Sequence, residues 1–265
     1  MSGTTSIEWA DKVWNPVTGC NKVSQGCKNC YAERIAHRFW GDRKFTDVQL
    51  HPERLNDLSH WRIPARIFGN SMSDLFHEAV PDDFIWLVLD AMTRGNRRHT
   101  YMILTKRPAR MKSWFDKYQE KFWHYHEPNE PQREYVSAPW PDPCLWLGVS
   151  VEDQQAADQR IPYLLQTPAA GRFVSCEPLL GPVKFADVPG LNRIGNGPGL
   201  DWVIVGGESG PGARPMQIEW ARSLRDQCQT AGVPFFLKQM PVNGKLVKMP
   251  ELDGKVWNEY PERIA

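Results

Sequence analysis

The segment HTYMILTKRPARMKSWFDKYQEK, residues 99–121, decides how the rest of the chain reads. Its first part, His99–Thr105, is a short run rich in apolar residues, suited to a strand buried in a sheet. Thr105-Lys106-Arg107 closes that run with polar groups. Pro108 then starts a helix well, because proline at the first helical position lacks an N–H that would have no partner there. Strand, polar turn and a helix over 108–121 follow in quick succession, which is the opening of a βαβ unit.

The same unit recurs on both sides. Apolar runs stand at Val13–Thr18, Arg66–Ser71, Leu145–Ser150, Arg172–Ser175, Trp202–Val205 and Val233–Leu237. Between them, amphipathic helices are expected at about 28–40, 82–95, 153–166 and 217–231, with Pro81-Asp82-Asp83 as a start and Gly95 and Gly232 as stops. Strands alternating with helices predict an α/β chain with a parallel sheet. Six or seven such units suit a barrel, complete or partial, better than an open sheet. Residues 122–143, aromatic, acidic and proline-rich, read as an inserted loop, and residues 183–200 as a flexible connection. A single domain over residues 1–265, with a short C-terminal extension, is the expected organisation.

An apolar share of 41% with 24% charged residues is that of a soluble globular chain. No apolar run approaches the roughly 18–20 residues that span a bilayer. The start MSGTTSIEW lacks the basic and apolar regions of a secretory signal, so a cytoplasmic location is expected, with no membrane partner. With 32 Lys and Arg against 31 Asp and Glu, no global field draws nucleic acid, and any such surface must be local.

Three of the six cysteines lie close together in WNPVTGCNKVSQGCKNCY, residues 14–31. In a cytosolic chain disulfides are not expected, so Cys20, Cys27 and Cys30 read as metal-binding or catalytic. Soft iron centres select thiolates at such spacing, and Gly19 and Gly26 let the backbone turn sharply around a cluster. Three ligands in place of four leave one iron open to a cofactor. The competing reading is a closed zinc site, with His37 or a distant cysteine as fourth ligand. Cys144, Cys176 and Cys228 read as small buried hydrophobes. Cys176, between Ser175 and Glu177, is also a candidate to face a pocket as a hydrogen-atom donor or thiyl radical.

In α/β barrels chemistry collects at the C-terminal ends of strands. Here those ends carry Asn70-Ser71-Met72-Ser73-Asp74, Thr105-Lys106-Arg107, Ser150-Val151-Glu152, Ser175-Cys176-Glu177, Gly206-Gly207-Glu208-Ser209-Gly210 and Lys238-Gln239. Polar residues are expected wherever strands meet solvent. Glutamates at 152, 177 and 208, each just beyond an apolar strand, predict more: a shared polar pocket. It would suit a zwitterionic cofactor with a ribose, carboxylates taking hydroxyls or an amino group while Lys106 or Arg107 pairs with a carboxylate.

From Trp14 to Gln239 the chain resembles the radical S-adenosylmethionine superfamily. More narrowly, it is similar to a phage and bacterial family with a three-cysteine motif and unknown function. The segments that carry the likeness are Asn70-Ser-Met-Ser-Asp-Leu-Phe76, Leu104-Thr-Lys-Arg-Pro108, Leu147-Gly-Val-Ser-Val-Glu152, Val174-Ser-Cys-Glu-Pro-Leu-Leu-Gly-Pro182 and Val205-Gly-Gly-Glu-Ser-Gly-Pro-Gly-Ala-Arg-Pro215. The resemblance implies a partial (β/α)6-type barrel with a [4Fe–4S] cluster near its open top. It implies S-adenosylmethionine on the open iron, a reducing electron donor, and a 5′-deoxyadenosyl radical that abstracts a substrate hydrogen. By position, Asn70 and Ser71 would meet the cofactor's amino group, Lys106 its carboxylate, and Ser150 or Glu152 its ribose. Cys176, Glu177 and Glu208 are the candidate catalytic groups. The chain departs from the superfamily in its C-x6-C-x2-C spacing, in Asn29 where an aromatic usually precedes the third cysteine, and in Gly-Gly-Glu standing at 206–208.

The family is also similar in outline to spore photoproduct lyase, which acts on DNA, so a nucleic-acid base or nucleotide is an expected substrate. Two basic runs agree, one of Arg94, Arg97, Arg98 and His99, the other of Lys106, Arg107, Arg110 and Lys112. Solvated helix ends would read the same way. Trp123, Tyr125 and Tyr135 offer rings on which bases could stack, or a packed lid. The alternatives are a radical enzyme acting on a peptide or small metabolite, and a non-catalytic zinc-binding interaction protein.

Overall fold

The computed structural model of the chain describes residues 3–95, 97–125, 141–188 and 199–262. The strands before the first long helix pair are β1 (Gly3–Thr4), β2 (Lys12–Trp14), β3 (Val17–Thr18), β4 (Gln49–Leu50) and β5 (Arg66–Gly69). Then come β6 (Thr100–Thr105), β7 (Leu145–Ser150), β8 (Gly171–Cys176), β9 (Trp202–Gly206) and β10 (Phe235–Val242). Short strands β11 (Lys245–Lys248), β12 (Glu251–Leu252) and β13 (Lys255–Val256) end the series. The helices are α1 (Tyr31–Phe39), α2 (Asp82–Gly95), α3 (Pro108–Tyr125), α4 (Gln154–Gln166) and α5 (Ile218–Ala231).

One nine-stranded sheet runs β1-β2-β5-β6-β7-β8-β9-β10-β11. Every neighbour from β2 to β10 is parallel, and the two outer strands are antiparallel. The parallel strands therefore lie side by side in chain order, each crossover advancing one place. All their C-terminal ends meet along one rim.

Side chains alternate across the sheet. Ile67, Tyr101, Ile103, Leu147, Val149, Val174, Cys176, Val205 and Leu237 join the core shared with the helices. The residues between them, Phe68, Met102, Trp146, Phe173, Trp202, Ile204 and Phe236, form a second cluster with Trp9 and Ala10 on the other face. Both ends of the chain seal that cluster. Trp9 stacks near Phe68 with centroids 4.7 Å apart, and Tyr260 lies 5.3 Å from both Trp202 and Phe236. Glycines make the aromatic layer possible: a Cβ on Gly171 would enter the Trp146 ring, and one on Gly148 would stand 2.5 Å from Phe173.

The expected strand Val13–Thr18 is two strands. Asn15-Pro16 interrupts it, because proline has no N–H for a ladder, and β3 turns away to pair with β4. The helix expected from 28 begins at Tyr31, since Gln25–Cys27 forms a 3-10 turn. Helix α3 continues to Tyr125, four residues into the segment read as a loop. The rest of that segment, through Trp140, lies outside the described residues, as do residues 189–198 of the expected connection. The C-terminal extension is not an appendage: β10 continues to Val242 and folds back as β11 on the sheet edge.

Candidate functional site

The rim is built first from side chains that hold one another. Asn70 follows β5 in the left-handed region, φ 62°, a conformation asparagine tolerates better than most residues. Its N–H donates to the Trp14 carbonyl, 2.8 Å, and its Nδ2 to Ser73 Oγ, 2.8 Å. Its Oδ1 is buried with no hydrogen-bond partner among the described residues. Ser71 donates to Asn15 Oδ1, 3.2 Å, which also accepts from the Met72 N–H at 2.9 Å.

At the end of β6, Asp74 organises three groups. It accepts from Thr105 Oγ1 at 2.8 Å, from the Lys106 N–H at 3.0 Å and from Arg107 Nη1 at 3.1 Å. Arg107, its side chain 5% exposed, also pairs with Glu78 and donates to Cys20 Sγ at 3.6 Å and to Asn21 Oδ1. The guanidinium is thus committed within the chain. Burial foremost, then Asp74, pushes the Cys20 thiol up to about 11, against the downward pull of Arg107. Cys27 is close enough to raise it further.

Each of the three rim glutamates has its own cation. Glu152, its side chain 1% exposed, pairs with Arg160 at 2.7 Å and takes a 2.5 Å bond from Ser24 Oγ. Lys106 stands farther from it, at 4.0 Å. Glu177 accepts from Lys238 Nζ at 2.6 Å and from Gln239 Nε2 at 3.0 Å. Glu208 accepts from the Arg214 N–H at 2.9 Å, from Arg214 Nε at 3.0 Å and from its Nη2, and from Asn29 Nδ2 at 2.8 Å. Burial raises the Glu208 carboxyl, but the bonds from Arg214 and Asn29 prevail and hold it down at about 2.

The cysteine loop crosses this rim. Cys20, Cys27 and Cys30 are partly exposed, whereas Cys144, Cys176 and Cys228 are buried. Gln25 bonds Asp153, Asn29 also donates to the Gly212 carbonyl at 2.9 Å, and Tyr31 donates to the Ser71 carbonyl at 2.6 Å. Gly26 lies so tightly on Glu152 that a Cβ would overlap its carboxylate. Among the described residues, no three His, Cys, Asp or Glu side chains converge closely enough to hold a metal ion. The trio is a set of soft donors carried on one loop, with no closed cage formed.

Sequence placed Cys20, Cys27, Cys30, Asn70, Ser71, Lys106, Ser150, Glu152, Glu177 and Glu208 at strand ends or in the loop above them, and the structure brings these segments to one rim. Ser150 is buried, its carbonyl taken by Arg160 at 2.7 Å. Cys176 lies fully buried in the helix-facing core, where burial and then Cys228 raise its thiol. The residues missed were Asn15, Ser24, Asn29, Arg160 and Arg214. Asn29, next to the third cysteine, carried the clearest signal.

The basic runs fare differently. Arg97 pairs with Asp142 at 3.2 Å, Arg98 bonds the Arg62 carbonyl and His99 the Trp61 carbonyl. Arg110 pairs with Asp82, and Lys112 with Asp116. These cations serve local structure. Trp123, Tyr125 and Tyr135 have side chains outside the described residues. Among the described residues no helix is long and apolar enough to cross a membrane.

A family model described as a protein of unknown function, DUF5131, matches residues 4–261. Comparison with curated proteins and with solved structures gave no match.

Proposed function

We propose that this chain, which belongs to the DUF5131 family, is a radical enzyme holding a [4Fe–4S] cluster on Cys20, Cys27 and Cys30 and reductively cleaving S-adenosylmethionine. In this reading the parallel sheet is a partial barrel and its rim the cofactor site. The observation that carries the proposal is the position of three partly exposed thiols on one loop, laid over the C-terminal ends of parallel strands. The donor set fits: soft thiolates, and no fourth cysteine on the loop.

Bound there, the cluster would supply the electron for cofactor cleavage. The chain's own residues supply placement. Asn70 Oδ1, without a partner among the described residues, is an acceptor suited to an ammonium group, since a buried acceptor without a donor is costly. Lys106 is suited to a carboxylate, because Glu152 is already taken by Arg160 and Ser24 at shorter range. The aromatic layer from Trp146 to Phe236 keeps water from the face of the sheet turned away from the helices. Local pairing of the basic runs favours a substrate recognised by a few rim groups over one held along a phosphate backbone.

Anaerobic reconstitution with iron and sulfide, then dithionite and S-adenosylmethionine, tests this. About four irons per chain and release of 5′-deoxyadenosine are expected, and Cys27→Ala should lose both. A colourless protein that takes up zinc and no iron ends the proposal.

A further inference from the structure

We propose that Glu152 and Glu208 are positioning residues of the cysteine loop, not ligand-binding groups. The proposal rests on the metal-loop reading above. Glu152 ends β7 and Glu208 ends β9, with β8 between them. The segment Ser24–Asn29 spans that gap. Its first residue donates to Glu152 Oε1 and its last to Glu208 Oε2, at 2.5 and 2.8 Å. Each carboxylate is anchored in turn by one arginine, Arg160 from α4 at 2.7 Å and Arg214 from the loop before α5. Their side chains are only 1% and 3% exposed beneath the loop, and the arginines fix the direction of both acceptors.

Gly26 completes the clamp. It sits against the Glu152 carboxylate where any side chain would collide, so the backbone between Ser24 and Cys27 is pressed onto the rim. Cys27 and Cys30 therefore lie inside or beside a segment held at both ends. Groups that fix a ligand's backbone and rotamer from behind commonly cost 10–100-fold in metal affinity when removed. Glu152 and Glu208 take that part here, acting through Ser24 and Asn29. Glu177, on the strand between, turns instead to Lys238 and Gln239.

The loop side of each bond is the place to cut, because Ser24→Ala and Asn29→Ala leave the buried ion pairs intact. In the metal-free full chain, amide hydrogen exchange over residues 21–30 should rise roughly tenfold in each variant, by loss of a charge-assisted bond. Anaerobic cobalt(II) titration, read by its thiolate charge-transfer bands, should weaken by about 10-fold or more. Ser24→Thr, which keeps the hydroxyl, should restore both readings. Unchanged exchange in both alanine variants overturns the clamp. Faster exchange with unaltered cobalt affinity overturns its bearing on the metal. Failure of the unmodified chain to take up cobalt or iron ends the metal-loop reading separately, and the exchange result still decides whether the two glutamates hold the loop.

Discussion

The two ends of the same strands are built from opposite materials. At the N-terminal end, Trp9, Trp202, Phe173, Phe236 and Tyr260 make an aromatic layer packed chiefly by ring contact, with Trp202 Nε1 donating to the Glu259 carbonyl at 2.9 Å and Tyr260 to the Glu8 carbonyl at 3.1 Å. At the C-terminal end, Glu152, Glu177, Glu208, Asp74 and Arg107 make a layer held by paired charge. The first has no chemistry to offer and sets stability. The second keeps donors and acceptors in fixed directions, which a ligand-binding rim requires. Damage to the two ends should therefore separate: folding energy at one, loop order and metal at the other.

The sharpest break is Trp202→Ala. Trp202 is fully buried, and its loss should cost about 3–5 kcal/mol in denaturant or thermal unfolding, while iron uptake per folded chain stays unchanged. A matching loss of iron would show that the ends are coupled.

Acid tests the other end. The Glu208 carboxyl is held at about 2 against an ordinary 4.5, so its contribution is fully present above the unfolded value and is lost as pH falls from about 4.5 toward 2. The stabilisation at neutral pH is on the order of 3 kcal/mol. Glu208→Gln should flatten this acid limb of stability, measured by denaturation from pH 6 down to about 2. Persistence of the limb would assign it elsewhere.

Gly171→Ala introduces a Cβ into the space of the Trp146 ring and should cost about 1–3 kcal/mol, again without changing iron content. Tyr31→Phe is the mildest change. It removes the bond to the Ser71 carbonyl and should cost about 1 kcal/mol, seen as faster amide exchange at the start of α1 and as a melting temperature lower by about 2 °C.

Much of the architecture is local and could be read directly. The helix expected at 82–95 is α2, Asp82–Gly95, and the run His99–Thr105 is β6 within one residue. Pro81, Pro108 and Gly232 punctuate the chain through backbone geometry that any context preserves; Gly232 ends α5 at φ 68°. Pro16 marks the break after β2, but the task of Asn15 beside it was not visible, because its partner Ser71 lies 56 residues away. The rim was legible as a place, since each glutamate follows an apolar strand. What each one does was not. Glu177 finds Lys238 61 residues on, and Ser24 finds Glu152 across 128. Periodicity reports which side of an element a residue occupies; it says nothing of which distant charge will reach it.

The order of strands along the sheet has a consequence for how the protein matures during synthesis. The cysteines emerge from the ribosome early, yet Asn29 waits for Glu208, 179 residues behind it. Until β9 has docked, Asn29 lacks its carboxylate and the far end of the loop is tied to the earlier strands through Tyr31 on the Ser71 carbonyl, so a nascent chain offers its thiols on a half-anchored strap. Loading with metal belongs after translation is nearly finished.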